Sequence, residues 1–273
     1  MSQPLVFRCN DDFLAGTLHP ADGQTAVLIV SGGRQTRHGS HRGFVTLGDR
    51  LANAGYPVLR FDRRGVGDSE GDDRGFRASG PDIGAALTAF REACPRARKF
   101  IGWGLCDGVT ALALHASGFD GLILANPWTQ DAEVGDALPQ LSAIKANYAE
   151  KLVSPAAWRR LLSGAVNLKA LVSGLARLVE PQRTSETAEA IRTNLQCYQG
   201  KILILLAERD GTAQAFTALL KSPLFAALSP KLEVEVIRGA THTFPGNLVE
   251  TQMIDRCIAW LDRLDIPTAP EAD

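Results

Sequence analysis

The fold turns on one stretch, Lys99-Phe100-Ile101-Gly102-Trp103-Gly104-Leu105-Cys106-Asp107-Gly108. An apolar run leads into G-x-C-x-G, and Val109–Ser117, rich in alanine and leucine, follows until Gly118. This is the cysteine form of the G-x-S-x-G turn, in which a nucleophile sits on a strained corner between a strand and a helix. Gly104 and Gly108 remove side chains that would collide as the helix packs beneath the turn. The turn also aims helix N-terminal amides at the reactive atom. Cys106 is therefore the candidate nucleophile. A thiolate is the attacking species, and a helix N-terminus with a nearby imidazole is expected to lower the thiol pKa. The competing reading is a small residue that only fills space.

Working outward, short apolar runs alternate with helical segments. Leu5–Cys9 and Phe13–Leu18 flank Asn10-Asp11-Asp12 and read as a hairpin. Ala26–Val30, Pro57–Phe61, Phe100–Leu105, Gly121–Ala125, Ile202–Ala207 and Leu232–Ile237 read as strands buried on both faces. Helices are expected at Phe44–Ala54, Pro81–Ala93, Val109–Ser117, Ala213–Leu228 and Leu248–Leu264. This alternation predicts an α/β fold with a mostly parallel, doubly wound sheet and ligands beyond the carboxyl ends of its strands. Residues 128–196 break the pattern. Leucines at helical spacing with no convincing strand read as an inserted helical cap between core segments 1–127 and 197–273, or as ordinary packing helices. The tail after Ile266 carries two prolines and is expected to fray.

The same strand-end logic selects partners for Cys106. His242 follows the last core strand, in the chain order nucleophile, acid, base, and is the candidate general base. The acid is expected after Ile202–Ala207. Asp210, beside Gly211, is preferred, Glu208 is the runner-up and Asp131 the third choice. Asp210 alternatively only caps the following helix. Two backbone N–H groups are needed for an oxyanion hole. One is expected from Asp107 and one from Arg34 or Gly33 in the loop after Ala26–Val30. Arg34, Arg37, His38, His41 and Arg42 crowd that loop, either to receive an anionic substrate group or as a solvated basic loop. Trp128 sits at another strand end and joins Arg37, His38 and His41 as a candidate substrate contact.

Bulk properties bound the rest. The chain has 273 residues, 45% hydrophobic, with net charge -1. That is enough for one sizeable core, and it offers no basic patch for nucleic acid. The first residues lack a signal-peptide pattern, and no run reaches the roughly 18 apolar residues of a membrane span. A cytoplasmic location is expected. The five cysteines are odd in number and show no C-x-x-C spacing, so neither a metal site nor a disulfide framework is expected, and no cofactor is called for. Arg159, Arg160, Lys169 and Arg177 among cap leucines allow a lipid-facing surface, though a cap packed on its own core is the favoured reading. The oligomeric state is not encoded in any of these features.

Phe61-Asp62-Arg63-Arg64-Gly65-Val66-Gly67-Asp68-Ser69-Glu70-Gly71 resembles the D-x-R-G-x-G-x-S strand-end motif of α/β-hydrolases. With the cysteine turn, Asp210 and His242, this likeness implies the α/β-hydrolase fold with a cap. Residues 30–42, 104–108, 125–128 and 158–164 look like the exosortase A system-associated hydrolases, type 1. Gly108 stands where such relatives are also expected to carry alanine. That resemblance implies a link to bacterial exopolysaccharide and protein-sorting gene clusters without supplying a substrate. The turn is also similar to that of dienelactone hydrolases, which use cysteine but lack a large helical cap. Three readings follow. One is hydrolysis of an ester or thioester from a small-molecule or carrier-bound acyl substrate. Another is acyl transfer from Cys106 to a saccharide or carrier acceptor. The last is a non-catalytic scaffold.

Overall fold

The computed structural model describes residues 1–131 and 185–265. Its centre is an eight-stranded sheet. The strands are β1 (Gln3–Cys9), β2 (Asp12–His19), β3 (Thr25–Val30), β4 (Val58–Phe61), β5 (Lys99–Leu105), β6 (Gly121–Ala125), β7 (Lys201–Ala207) and β8 (Leu232–Ile237). They lie in the order β1-β2-β4-β3-β5-β6-β7-β8. The β1–β2 hairpin and the β2–β4 pair are antiparallel, and every other pair is parallel. Helices are α1 (Gly43–Asn53), α2 (Gly80–Ala93), α3 (Asp107–Leu114), α4 (Glu186–Cys197), α5 (Gly211–Leu220) and α6 (Asn247–Asp265).

Strand periodicity explains how the layers close. Along β5, successive side chains face opposite sides of the sheet. Trp103 meets Phe44 of α1 edge-on, with ring centroids 5.6 Å apart. Its neighbours Gly102 and Gly104 instead lie against Leu112 of α3. Helices thus cover both faces, and β3, β4 and β6 are buried at every position. The register brings the strand ends level. Val30 pairs with Gly104, Leu105 with Ala125, Ala125 with Leu205, and Ala207 with Ile237. The residues just beyond these ends therefore form one row at the carboxyl edge.

Three expectations change. β8 is an edge strand rather than a strand buried on both faces. Val234 and Val236 are exposed, and Glu233 and Glu235 face Arg263 and Arg256 of α6. The Leu-Glu-Val-Glu-Val-Ile alternation sets the glutamates against the arginines of α6 and leaves the valines on the open side. α3 ends at Leu114 rather than Ser117, with Gly118 at φ 89°. α5 stops at Leu220 rather than Leu228, because Pro223 biases Ser222 away from helical backbone. Most of the expected cap, residues 132–184, lies outside the described residues. Within that expected span α4 is described, and it packs on the core helix α3. Ser185 Oγ accepts from Ala188 N at 3.0 Å and caps α4. Among the described residues, no helix is long and apolar enough to cross a membrane.

Candidate active site

Cys106 sits between β5 and α3 with φ 60° and ψ -122°. A non-glycine residue held at positive φ costs on the order of 1–3 kcal/mol and persists only where its surroundings over-determine it. Here both backbone groups of Cys106 are pinned. Its N–H donates to Ala125 O at 3.0 Å, and its carbonyl accepts from Trp128 N at 3.3 Å. Close approach completes the corner. A Cβ on Gly108 would lie 2.5 Å from Val30 O, and one on Gly104 would lie 2.9 Å from Gly108 C. The two glycines of the motif are required by space.

The thiol is buried, with 4% of the residue exposed. Its pKa moves opposite to the sequence-based expectation. Burial pushes it well above the ordinary cysteine value, and the charge of Asp107 adds to the rise. The Asp107 N–H pulls weakly the other way, and the Asp210 charge also raises it. The helix-terminal amide therefore acts as expected, but desolvation outweighs it. Burial thus favours the neutral thiol over the thiolate.

The candidate acid and candidate base meet. His242, in the loop between β8 and α6, has its Nδ1 3.1 Å from Asp210 Oδ2. The same Asp210 oxygen accepts from Ala213 N at 3.1 Å, so capping and pairing are both true of this residue. The other two carboxylates are employed elsewhere. Glu208 accepts from Gly239 N at 2.7 Å and shapes the turn after β8. Asp131 caps α4, accepting from Thr187 N at 2.8 Å and Glu186 N at 3.2 Å. Its carboxyl is held below the usual range: those N–H groups and the Thr187 hydroxyl outweigh the upward push of burial.

The loop after β3 forms the other wall. Gly33, at φ 56°, donates its N–H to Asp107 Oδ1, while its carbonyl accepts from Arg63 Nη2. The Gly33 amide expected in the oxyanion hole is thus occupied by a carboxylate. Arg34 N–H makes no hydrogen bond to a described residue, and it belongs to the peptide whose carbonyl Arg63 grips. In a trans peptide the C=O and N–H point in opposite directions, so Arg63 sets the direction of the Arg34 amide. Arg63 is a buried cation with no carboxylate within ion-pair distance among the described residues. Its Nε has no partner. The Asp107 amide lies against the Cys106 sulfur, as its effect on the thiol requires.

The basic cluster disperses. The Arg37 guanidinium is committed to Asp62 and to Asp68 at 2.7 Å, and its N–H reaches Asp62 Oδ1 at 2.5 Å. Asp62 is fully buried and would be an unpaired charge without Arg37. The strand-end Asp motif thereby anchors the loop of residues 32–42. His38 and His41 are exposed, with His38 near only Thr36 Oγ1 at 3.4 Å. The Arg34 side chain is exposed, 3.7 Å from Asp73. Trp128 is buried beside the corner it helps to hold, its carbonyl accepting from Thr110 Oγ1 at 2.5 Å.

Two residues were missed by sequence reasoning. Arg63 is one. Asn126 is the other, with Oδ1 accepting from Ala207 N and Nδ2 donating to His242 O, both at 2.8 Å. An asparagine directly before Pro127 at a strand end was the available signal. All five cysteines are free thiols. Among the described residues, no three His, Cys, Asp or Glu side chains are grouped to hold a metal ion.

Comparison with known proteins agrees with this architecture. No curated protein matches the sequence. The esterase Pf2001 of Pyrococcus furiosus is similar in structure, with TM-score 0.61 and 17% identity over 96% of this chain and 92% of that one. The alpha/beta hydrolase GrgF from Penicillium sp. sh18 gives 0.63 and 19%, over 96% and 98% of the two chains. Est1E from Butyrivibrio proteoclasticus, solved with ferulic acid bound, gives 0.62 and 13%, over 95% and 98%. At these identities the likeness concerns the fold. Residues 27–257 match the alpha/beta hydrolase family, and this chain therefore belongs to that family.

Proposed function

We propose that the protein is an acyl hydrolase acting on an ester or thioester through Cys106, His242 and Asp210. The observation that carries this reading is the 3.1 Å His242–Asp210 pair in the row of strand ends that holds Cys106 on its strained corner. Asp210 fixes the tautomer of His242, leaving Nε2 as the basic nitrogen. Burial favours the neutral thiol, so its proton leaves as sulfur attacks: Sγ bonds the acyl carbon and His242 takes the proton. The oxyanion is received by the amides of Asp107 and Arg34. Collapse expels the alcohol or thiol, which takes the proton from His242. Water, deprotonated by His242, then attacks the Cys106 thioester and releases the acid and the free thiol.

The test compares wild type with Cys106→Ala on p-nitrophenyl acetate and a short acyl thioester, with mass spectrometry of trapped enzyme. The expected result is loss of turnover in the variant and an acyl adduct on Cys106 in the wild type. Wild-type rates in Cys106→Ala refute the reading. A folded wild type that never forms the adduct favours a non-catalytic scaffold.

A second reading has its own support. Cys106 is almost wholly removed from solvent, so a thioester formed there is shielded from bulk water, and thioesters transfer readily to amines and alcohols. The likeness to exosortase-associated hydrolases supports a saccharide or carrier-bound acceptor in exopolysaccharide chemistry. Product analysis with candidate acceptors decides it: free acid as the sole product across acceptors rejects transfer.

A further inference from the structure

Asn126 follows β6 directly, with Pro127 after it. A residue before proline is ordinarily extended, yet Asn126 has φ 49° and is completely buried. Backbone strain of this kind is retained only where neighbouring interactions over-determine it. Three do so here. Its N–H donates to Leu205 O at 2.9 Å and extends the β6–β7 ladder. Its Oδ1 accepts from Ala207 N at 2.8 Å, and its Nδ2 donates to His242 O at 2.8 Å. The amide orientation is unambiguous: a flip sets nitrogen against N–H and oxygen against carbonyl, losing both bonds.

What these bonds join is the point. Ala207 ends β7, and its carbonyl accepts from Asp210 N at 3.1 Å. One carboxamide therefore ties the backbone of the base to the strand end that carries the acid. The adjoining segment holds the nucleophile. Ala125 O accepts from Cys106 N, and Trp128 N donates to Cys106 O. Residues 125–128 thus touch Cys106 and His242 directly and reach Asp210 through one residue. The loop carrying His242 comes off β8, whose outer side has no neighbouring strand among the described residues.

We propose that Asn126 is the positioning residue of the site, holding the His242 loop against the end of β7 so that the imidazole meets both Asp210 and the Cys106 thiol. The proposal rests on the reading of Cys106, His242 and Asp210 as the catalytic set. Asn126 touches no reacting atom; it acts through the backbone.

Two variants separate positioning from simple support. Asn126→Asp keeps an acceptor for Ala207 N–H and places oxygen against the His242 carbonyl. Asn126→Gly keeps the left-handed backbone and removes both side-chain bonds. Thermal unfolding, kcat and KM for p-nitrophenyl acetate, and the pH profile of Cys106 alkylation by iodoacetamide are measured, with wild type and Cys106→Ala alongside. Both variants are expected to lose about 10²-fold in kcat with KM within about twofold, as for a roughly 1 Å misplacement of a catalytic group. Their alkylation profiles are expected to shift from that of wild type. Variants that unfold earlier but keep wild-type kcat and alkylation profile overturn the proposal and leave Asn126 a structural residue. Full turnover in Cys106→Ala overturns the catalytic reading itself, and the positioning role with it.

Discussion

Replacing Gly108 by alanine tests the corner most directly. A Cβ there would lie 2.5 Å from Val30 O and 3.1 Å from both Gly32 N and Ser31 C. Ordinary contact begins at 3.4 Å, so about 0.9 Å of movement is needed (3.4 minus 2.5). All three obstacles are backbone atoms, and β3 is hydrogen-bonded to β4 and β5 on its two sides. They cannot rotate away as a side chain tip would. Overpacking of this sort costs about 1–3 kcal/mol, or about 2–4 °C in Tm for each kcal/mol at this chain length. The strain also falls on the segment that supplies the Arg34 amide. Displacement by nearly 1 Å is expected to cost about 10²-fold in kcat/KM. Differential scanning calorimetry and p-nitrophenyl acetate turnover measure both. Gly84→Ala is the control, because a Cβ there meets nothing within 4 Å in the interior of α2. It is expected to stabilise by about 0.5–1 kcal/mol through helix propensity. A Gly108→Ala enzyme with wild-type Tm and wild-type kcat/KM would refute the argument that space dictates this glycine.

Other consequences are open to measurement. Asp210→Asn still caps α5, so kcat should fall, by about 10²–10⁴-fold as for loss of general-base function, with little change in Tm; equal kcat in the two enzymes contradicts the assigned role. Because burial and then Asp107 raise the Cys106 pKa, the neutral form is favoured, and alkylation by iodoacetamide should keep climbing at pH values where a free thiol has levelled off. A plateau below pH ~8 is incompatible with a raised pKa. Asp107→Asn removes one of the charges opposing the thiolate while retaining an acceptor for Gly33 N–H, so alkylation near neutrality should accelerate; a slower reaction speaks against that charge effect. Arg63→Gln should lower kcat, by up to about 10²-fold, by releasing the peptide that aims the Arg34 amide. Unchanged kcat in a folded variant removes Arg63 from the oxyanion argument.

Much of this was legible in the residues themselves. The strands announce themselves as short apolar runs, and the corner as two glycines around a cysteine between a strand and a helix. Chain order alone pointed to His242. Local rules also failed in instructive places. Leu232–Ile237 reads as a strand buried on both faces, yet its glutamates meet α6 while Val234 and Val236 stay exposed, and the apolar pattern reads through Pro223, where α5 has already ended. Pairing choices were less legible. Gly211 favours Asp210, but Glu208 and Asp131 stay open beside it until packing shows that they serve Gly239 N–H and the α4 N-terminus. Arg37 looked available for a substrate until Asp62, 25 residues away, claimed it.

By itself, the sequence determined the order of elements, the parallel sheet and the cysteine corner, because backbone periodicity and steric room depend on near neighbours along the chain. Only the tertiary structure decided that Asp210 is the carboxylate facing His242, that the Gly33 amide is held by Asp107, and that Asn126 joins the His242 loop to the end of β7. It also reversed the expected shift of the Cys106 pKa. Hydrogen-bond partners and desolvation arise where distant segments meet, and no local pattern encodes how much water that meeting removes.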